Sequence, residues 1–384
     1  MRIKLQNSLD TSPFLNTIDA LQLKVARRGI HYSLDRLTPA LEALKNPHLG
    51  LPKTIHIAGT NGKGSVAHYL TEILLQHNAQ VLTYTSPHVQ CYTERFLLNG
   101  APISKEQFTQ LFAETSIADV ENKLSEYEML TLMAFQLAHQ AGVDYFILET
   151  GLGGRLDATN VVPDSMGIIT DIGLDHQAIL GNTLTEIAQE KAGIIKQNAT
   201  IITHLDHDPN VLEVIKSQAK QQSATLHWTI PRHHYHDRNK ALAYVALNEI
   251  LNTDTFDHDL ADLPPPFGRL TPTLYQGTPC WMDVGHNLHA VRAILSIHPH
   301  PSQWIVGMNR EKDVVGILSA LISEKQTVFL CEFNHSLSIK LDELPMTVRE
   351  HVNVWHIGDP IDMNTLFFGS FYFIERLLKD HPTA

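Results

Sequence analysis

A short apolar run, residues 54–58 (TIHIA), leads at once into Gly59-Thr60-Asn61-Gly62-Lys63-Gly64-Ser65. An apolar pattern of helical period follows through Val66, Tyr69, Leu70, Ile73 and Leu74. No other stretch restricts the fold as tightly. A buried strand, a glycine-rich turn and a helix in that order open a βαβ unit and call for a parallel sheet. The glycines let successive backbone N–H groups turn toward an anion, and the helix N-terminus adds partial positive charge. Lys63 can reach the β- and γ-phosphates of a nucleotide, while Ser65 brings a hydroxyl to the phosphates or their metal. The strict phosphate-loop pattern has four residues between its first glycine and the Gly-Lys pair. Here two residues separate Gly59 from Gly62, so the loop is a shortened variant. Alone it specifies a phosphate cradle and leaves the reaction open.

The same alternation continues along the chain. Strands are expected at residues 80–85, 144–149 (read as the third strand), 166–171 and 200–204. Helices are expected over 63–76, 127–141, 184–195 and 209–221. Residues 263–268 (LPPPFG) contain three consecutive prolines, which extend neither a helix nor an interior strand. A smaller alternation follows, with strands at 280–284, 304–308 and 327–331 and helices at 290–297 and 314–322. The expected architecture is α/β in two domains. Residues 1–262 form a nucleotide-binding domain with a mainly parallel sheet, and residues 263–384 a smaller Rossmann-like one.

A chain of 384 residues, 43% hydrophobic and 18% charged, has enough apolar material for two cores. Its net charge of −12 argues against a nucleic-acid-binding surface but permits one basic cleft. Cys91, Cys280 and Cys331 lie far apart without CxxC spacing, which excludes a zinc ribbon or disulfide framework and fits a reducing cytoplasm. The first residues lack the apolar core of a signal peptide, and no run approaches the roughly 20 apolar residues of a membrane span. A cytoplasmic chain with no membrane partner is therefore expected. Among 23 histidines, His233, His234 and His236 cluster in PRHHYHDR. Without cysteine or carboxylate support they read as a solvated loop rather than a zinc site.

Strand ends carry the candidate chemistry, because in parallel sheets the C-terminal ends face the ligand crevice. Glu149 ends one expected strand, and a carboxylate there suits Mg²⁺. Asp175 and His176 follow another strand, and Ser86 a third. Lys191, within EKAGIIK, looks like an ordinary helical lysine.

Taken together, GTNGKGS, TSPH, YTERF, ETGLGGRLDATN, IGLDH, LGNTLTEIAQEKAGIIK and DVGHN, in that order, resemble the folylpolyglutamate synthase/dihydrofolate synthase family, a branch of the Mur-ligase superfamily. The likeness runs roughly over residues 30–310, fades after Asp313 and echoes weakly at Gly369-Ser370-Phe371. It implies a P-loop-type Mur-ligase central domain followed by the Rossmann-like one. It also implies an ATP-dependent monomeric ligase that joins L-glutamate to dihydropteroate or folate through an acyl phosphate.

Residue by residue, the resemblance implies that Ser86 and Glu149 ligate one Mg²⁺ and His176 a second. Lys191 becomes the position of a CO₂-derived carbamate. ATP is held by Gly59, Thr60, Asn61, Gly62, Lys63, Gly64 and Ser65, by Asn239, by Arg269 (in FGRL), by Asp283 and by His286. Lys63, His176 and Lys191 are the catalytic set. The pterin pocket comprises His31, Tyr32, Ser33, Tyr127, Glu128, Leu156, Asp157 and Ala158. The chain departs from the family at Ile30-His31-Tyr32-Ser33, at Tyr127 and at Phe267. Three other readings compete. A cell-wall Mur ligase needs a UDP-binding domain, and 58 residues before Gly59 are too few for it. A folate-only polyglutamylating enzyme is the main alternative. A nucleotide-binding scaffold is opposed by the intact set Ser86, Glu149, His176 and Lys191.

Overall fold

The structure, a computed structural model, describes residues 13–27, 32–119, 121, 123–253, 263–297 and 301–380. Eight strands come first: β1 Lys53–Ala58, β2 Val81–Tyr84, β3 Phe96–Leu98, β4 Ala101–Pro102, β5 Tyr145–Glu149, β6 Met166–Ile169, β7 Thr200–His204 and β8 Thr225–Thr229. They form one sheet in the order β4-β3-β2-β5-β1-β6-β7-β8. Six more make a second sheet: β9 Thr271–Tyr275, β10 Thr278–Asp283, β11 Gln303–Gly307, β12 Thr327–Cys331, β13 Asn353–Trp355 and β14 Thr365–Gly369. Their order is β13-β12-β11-β14-β10-β9. The β2–β3, β3–β4 and β9–β10 pairings are antiparallel and the others parallel.

Position in the first sheet follows from side-chain alternation. In β5, Tyr145 and Ile147 face one core cluster, with Ile55, Val66 and Leu70, while Phe146 and Leu148 face another, with Tyr84, Phe96 and Phe135. Both faces are covered, so the strand reads as a continuous apolar run, as a central parallel strand must. β1 lies between β5 and β6 with Ile57 opposite Glu149 and Ala58 opposite Ile169. That register brings the loop after β1 level with the carboxylate ending β5.

The helix Lys63–Gln76 has the expected bounds, and the helices Glu126–Gln140, Leu184–Ala192 and Pro209–Gln221 stand within a few residues of expectation. Three features differ. The strand ending at Glu149 is the fifth, because β3 and β4 intervene as a tight hairpin. Its turn, Asn99-Gly100, has φ of 51° and 79°, the left-handed values a two-residue hairpin turn needs. PRHHYHDR is not a free loop, since the helix Tyr235–Leu251 begins inside it. His234 caps that helix by accepting the His236 N–H, and His236 is buried, with its Nδ1 3.3 Å from the Tyr69 hydroxyl. The helix escapes a pattern search because two residues on its buried face, His236 and Asn239, are polar. The strands β8, β9, β13 and β14 add to the expected set. No helix among the described residues is long and apolar enough to cross a membrane.

Ile147 sits at the centre of the packing, fully buried. Ile147→Ala is expected to destabilise the protein by about 2–5 kcal/mol, read as a lower urea midpoint. A loss below about 1 kcal/mol would show that β5 is not the packing axis.

Candidate active site

The turn after β1 is fastened on every side. Thr60 N–H donates to Asp171 O (2.7 Å), Thr60 Oγ1 donates to Gly173 O (3.0 Å), and Thr170 Oγ1 donates to Asn61 O (2.6 Å). Gly62 caps the following helix at φ 91°, and a Cβ there would collide with the Asn239 carboxamide. Only glycine meets both conditions.

Two lysines converge on the turn. Lys63 Nζ lies 3.2 Å from Gly59 O and 4.0 Å from Glu149 Oε1. Lys191 Nζ, from the helix Leu184–Ala192, donates to the same Gly59 O at 2.8 Å. Lys191 is only 4% exposed. Burial and the neighbouring Lys63 bring its ammonium down to about 7. Its place in the sequence gives no hint of this.

Glu149 is buried, accepts Ser86 N–H at 3.2 Å, and is raised above the usual carboxylate range by its burial. The Ser65 hydroxyl is buried with no hydrogen-bond partner, as is the Asn239 carboxamide oxygen. Carboxylate and hydroxyl oxygens of this kind fit a hard divalent ion that fills its remaining positions with phosphate and water. No cluster of three His, Cys, Asp or Glu side chains stands ready for a metal among the described residues. His176 heads the short helix Gln177–Leu180 at φ 51°. Its Nε2 meets Lys312 Nζ at 3.3 Å, and burial followed by Lys312 lowers its pKa.

The second sheet closes over this turn. Asn287 caps the helix Leu288–Leu295 and exchanges two amide hydrogen bonds with Asn61 (3.1 and 3.0 Å). The Asn61 amide also reaches His289 Nδ1 at 3.0 Å. Asp175 is gripped across the cleft by Lys312 Nζ (2.8 Å), Asn287 Nδ2 (3.3 Å) and His286 Nε2 (3.7 Å). Burial opposes the Asp175 carboxylate, but Lys312, His176 and His286 together hold it below the usual range. Asp283 accepts Gly285 N–H (2.7 Å), Leu270 N–H (3.0 Å) and the Tyr235 hydroxyl (3.3 Å). Next to Asn239, Arg238 bridges Asp171 (2.6 Å) and Asp206 (2.5 Å), bracing the helix start.

Every residue expected at ATP or metal lines one of two adjoining spaces. A small cleft of about 50 Å³ is walled by Asn61, Gly62, Ser65, Asn239, Arg269 and Asp283, with His289 and Tyr235. A cavity of about 910 Å³ takes in Gly59, Thr60, Lys63, Gly64, Ser86, Glu149, His176, Lys191 and His286. Sequence reasoning missed Lys312, His289, Asn287 and Arg238. Asn287 closes DVGHN and Arg238 adjoins Asn239, while Lys312 and His289 lie outside every recognised motif.

The residues expected around the pterin stand elsewhere. His31 lies outside the described residues. Tyr32, Ser33, Tyr127, Glu128, Leu156, Asp157 and Ala158 line neither space. Tyr32 OH donates to Glu190 (2.9 Å), Ser33 pairs with Asp35, and Glu128 caps its own helix and holds Arg36 (3.0 Å). Leu156 is half-buried, and Ala158 belongs to a core cluster. Asp157 is saturated, accepting from Gly151 N, Leu152 N, Thr159 N, Thr159 Oγ1 and Tyr127 OH at 2.5–3.1 Å. Asp157 and Tyr32 hold the loop of residues 151–154 from behind, accepting the Gly151, Leu152 and Gly154 N–H groups. The cavity beyond the phosphate turn is walled instead by Phe14, Ile18, His88, Tyr92, Arg95 and Tyr372.

The Mur ligase middle domain family matches residues 57–255. A probable dihydrofolate synthetase of Schizosaccharomyces pombe is 32% identical over 350 residues, 79% of this chain and 83% of that protein. A dihydrofolate synthase/folylpolyglutamate synthase of Bacillus subtilis is 40% identical over 203 residues, 51% of this chain. The chain spans about half the length of several curated relatives it matches, between 47% and 48%. E. coli FolC in complex with DHPP and ADP has a TM-score of 0.80 at 25% identity, covering 97% of this chain and 98% of that one. A bifunctional folylpolyglutamate synthase/dihydrofolate synthase with Mn, AMPPNP and L-glutamate bound has a TM-score of 0.78 at 25% identity, covering 97% and 99%. The likeness of fold therefore extends past Asp313, where likeness of sequence fades.

If Asp157 organises the loop, Asp157→Asn should destabilise the ligand-free protein by about 1–3 kcal/mol, since an amide nitrogen cannot accept from the loop N–H groups. Urea unfolding without ligand tests this, and wild-type stability would refute it.

Proposed function

The chain belongs to the folylpolyglutamate synthase/dihydrofolate synthase family of Mur ligases, and on that premise we propose that it joins L-glutamate to dihydropteroate and to folates at the expense of ATP. The observation that carries this reading is the convergence of Lys63, Lys191 and Glu149 on one turn, beside a cavity large enough for an extended acceptor.

A carboxylate is a poor electrophile, so ATP first phosphorylates it to an acyl phosphate. The glutamate amine then attacks the acyl carbon, and phosphate leaves. Catalysis of the first step is mainly positioning and charge neutralisation. Lys63, held at the turn by Gly59 and Thr60 carbonyls, faces the transferring phosphoryl group. Arg269 and Asp283 reach the nucleotide from the second sheet, and closure of the two sheets over the turn keeps water from the acyl phosphate. Glu149, Ser86 and Ser65 would hold Mg²⁺, which when bound supplies charge neutralisation across the phosphates. A second ion at His176 is part of the same reading.

Lys191 is the proposed carbamate position. Its neutral amine reacts with CO₂ to give a carbamate and release a proton, and burial beside Lys63 makes that neutral form accessible near pH 7. We also place the division between domains at residues 262/263 and assign the chain to the cytoplasm as a monomer without nucleic-acid or membrane partners. Three free cysteines support that compartment.

Lys63→Ala should reduce ATP- and glutamate-dependent phosphate release by at least about 100-fold. Turnover near wild type would remove the turn from the mechanism. Lys191→Ala should lose activity that short carboxylic acids partly restore, and a fully active variant would rule out the carbamate role.

A further inference from the structure

Between β2 and the single helical turn Tyr92–Arg95 the chain runs without regular structure, yet residues 86–92 and Arg95 form a continuous side of the large cavity. An irregular segment keeps one shape only if its backbone groups find fixed partners. Glu94 supplies them. Its Oε2 accepts the Val89 N–H at 2.9 Å, and its Oε1 accepts the Gln90 and Cys91 N–H groups at 3.0 and 2.7 Å. In return the Glu94 N–H donates to Cys91 O at 3.0 Å. A capping glutamate needs only the N–H of the cap residue, here Cys91. Glu94 takes the two preceding N–H groups as well, so it holds the segment and not the helical turn alone.

Neighbouring bonds fasten the rest of the segment. Thr85 N–H donates to Arg95 O (3.0 Å), Ser86 N–H donates to Glu149 Oε2 (3.2 Å), and Arg95 Nε donates to His88 Nδ1 (2.9 Å). His88 accepts that bond because burial and then Arg95 push it down to about 3, leaving the ring neutral. The His88 and Tyr92 rings then meet at 4.3 Å.

Glu94 itself lines neither the large cavity nor the small cleft. Its effect on the reaction therefore passes through the residues it holds. Those residues wall the large cavity, and the small cleft at Asn239, Arg269 and Asp283 is built from other parts of the chain.

We propose that Glu94 is a positioning residue for the large cavity. It folds residues 86–91 into a fixed wall beside the phosphate turn, and it does so independently of the small cleft. The inference rests on the ligase reading above and adds a residue that acts at a distance from the reacting atoms.

The test compares the wild type with Glu94→Gln and Glu94→Ala. Glutamine keeps an oxygen for Gln90 and Cys91 but turns an amide donor toward the Val89 N–H, whereas alanine removes all three acceptors. In glutamate-dependent phosphate release, kcat/KM for dihydropteroate should fall about tenfold in Glu94→Gln and about 100-fold in Glu94→Ala. ADP affinity, measured by calorimetry without divalent ions, should stay at the wild-type value in both. Wild-type kcat/KM in both variants overturns the inference. So does a loss of ADP affinity that parallels the loss of kcat/KM, since a general loosening of the fold would do that. Hydrogen exchange on the wild type gives an arm that needs no variant. The Val89, Gln90 and Cys91 amides should exchange slowly, and exchange of all three at open-chain rates overturns the inference. No release by the wild type with any acceptor overturns the ligase reading, and the exchange arm then still decides whether Glu94 holds the wall.

Discussion

Two lysine side chains share one carbonyl oxygen. Lys63 and Lys191 come from different helices and both reach Gly59 O, at 3.2 and 2.8 Å. Inside a protein such like charges repel far more than in water. The fold accommodates them because Glu149 stands 4.0 Å from one and burial drives the other toward its neutral form. The arrangement is poised for an anion. It exists because β1 is central, flanked by β5 and β6, so that the ends of three neighbouring strands and the helices after two of them meet at one turn.

The second sheet completes the charge pattern. Lys312, His286 and Asn287 turn Asp175 into a crossing point between the sheets, while Arg269 and Asp283 wall the small cleft.

The sequence makes the first sheet largely readable, because a strand buried on both faces is a continuous apolar run and its glycine-rich exit is distinctive. The hairpin β3–β4 is shorter than any periodicity test, although Asn99-Gly100 marks its turn. The helix Tyr235–Leu251 is hidden by His236 and Asn239, polar residues that face inward to meet Tyr69 and the small cleft. In the site, residues on the phosphate turn and at strand ends were legible, because topology alone brings them to the crevice. Asp157 stands out in ETGLGGRLDATN, but the hydrogen bonds that saturate it are non-local and cannot be read from spacing. Lys312 gives no local signal, since only the closeness of the two sheets makes it part of the site.

Asn61 is engaged through side chain and backbone alike. Its amide nitrogen serves Asn287 and His289, its side-chain oxygen takes the Asn287 amide, and its backbone carbonyl takes the Thr170 hydroxyl. The residue at the tip of the phosphate turn is therefore also a rivet between the two sheets. The cleft cannot widen along that line without unfastening the turn itself. Grip on the nucleotide and openness of the cleft are then a single mechanical coordinate, and binding at one end is felt at the other without any intervening relay.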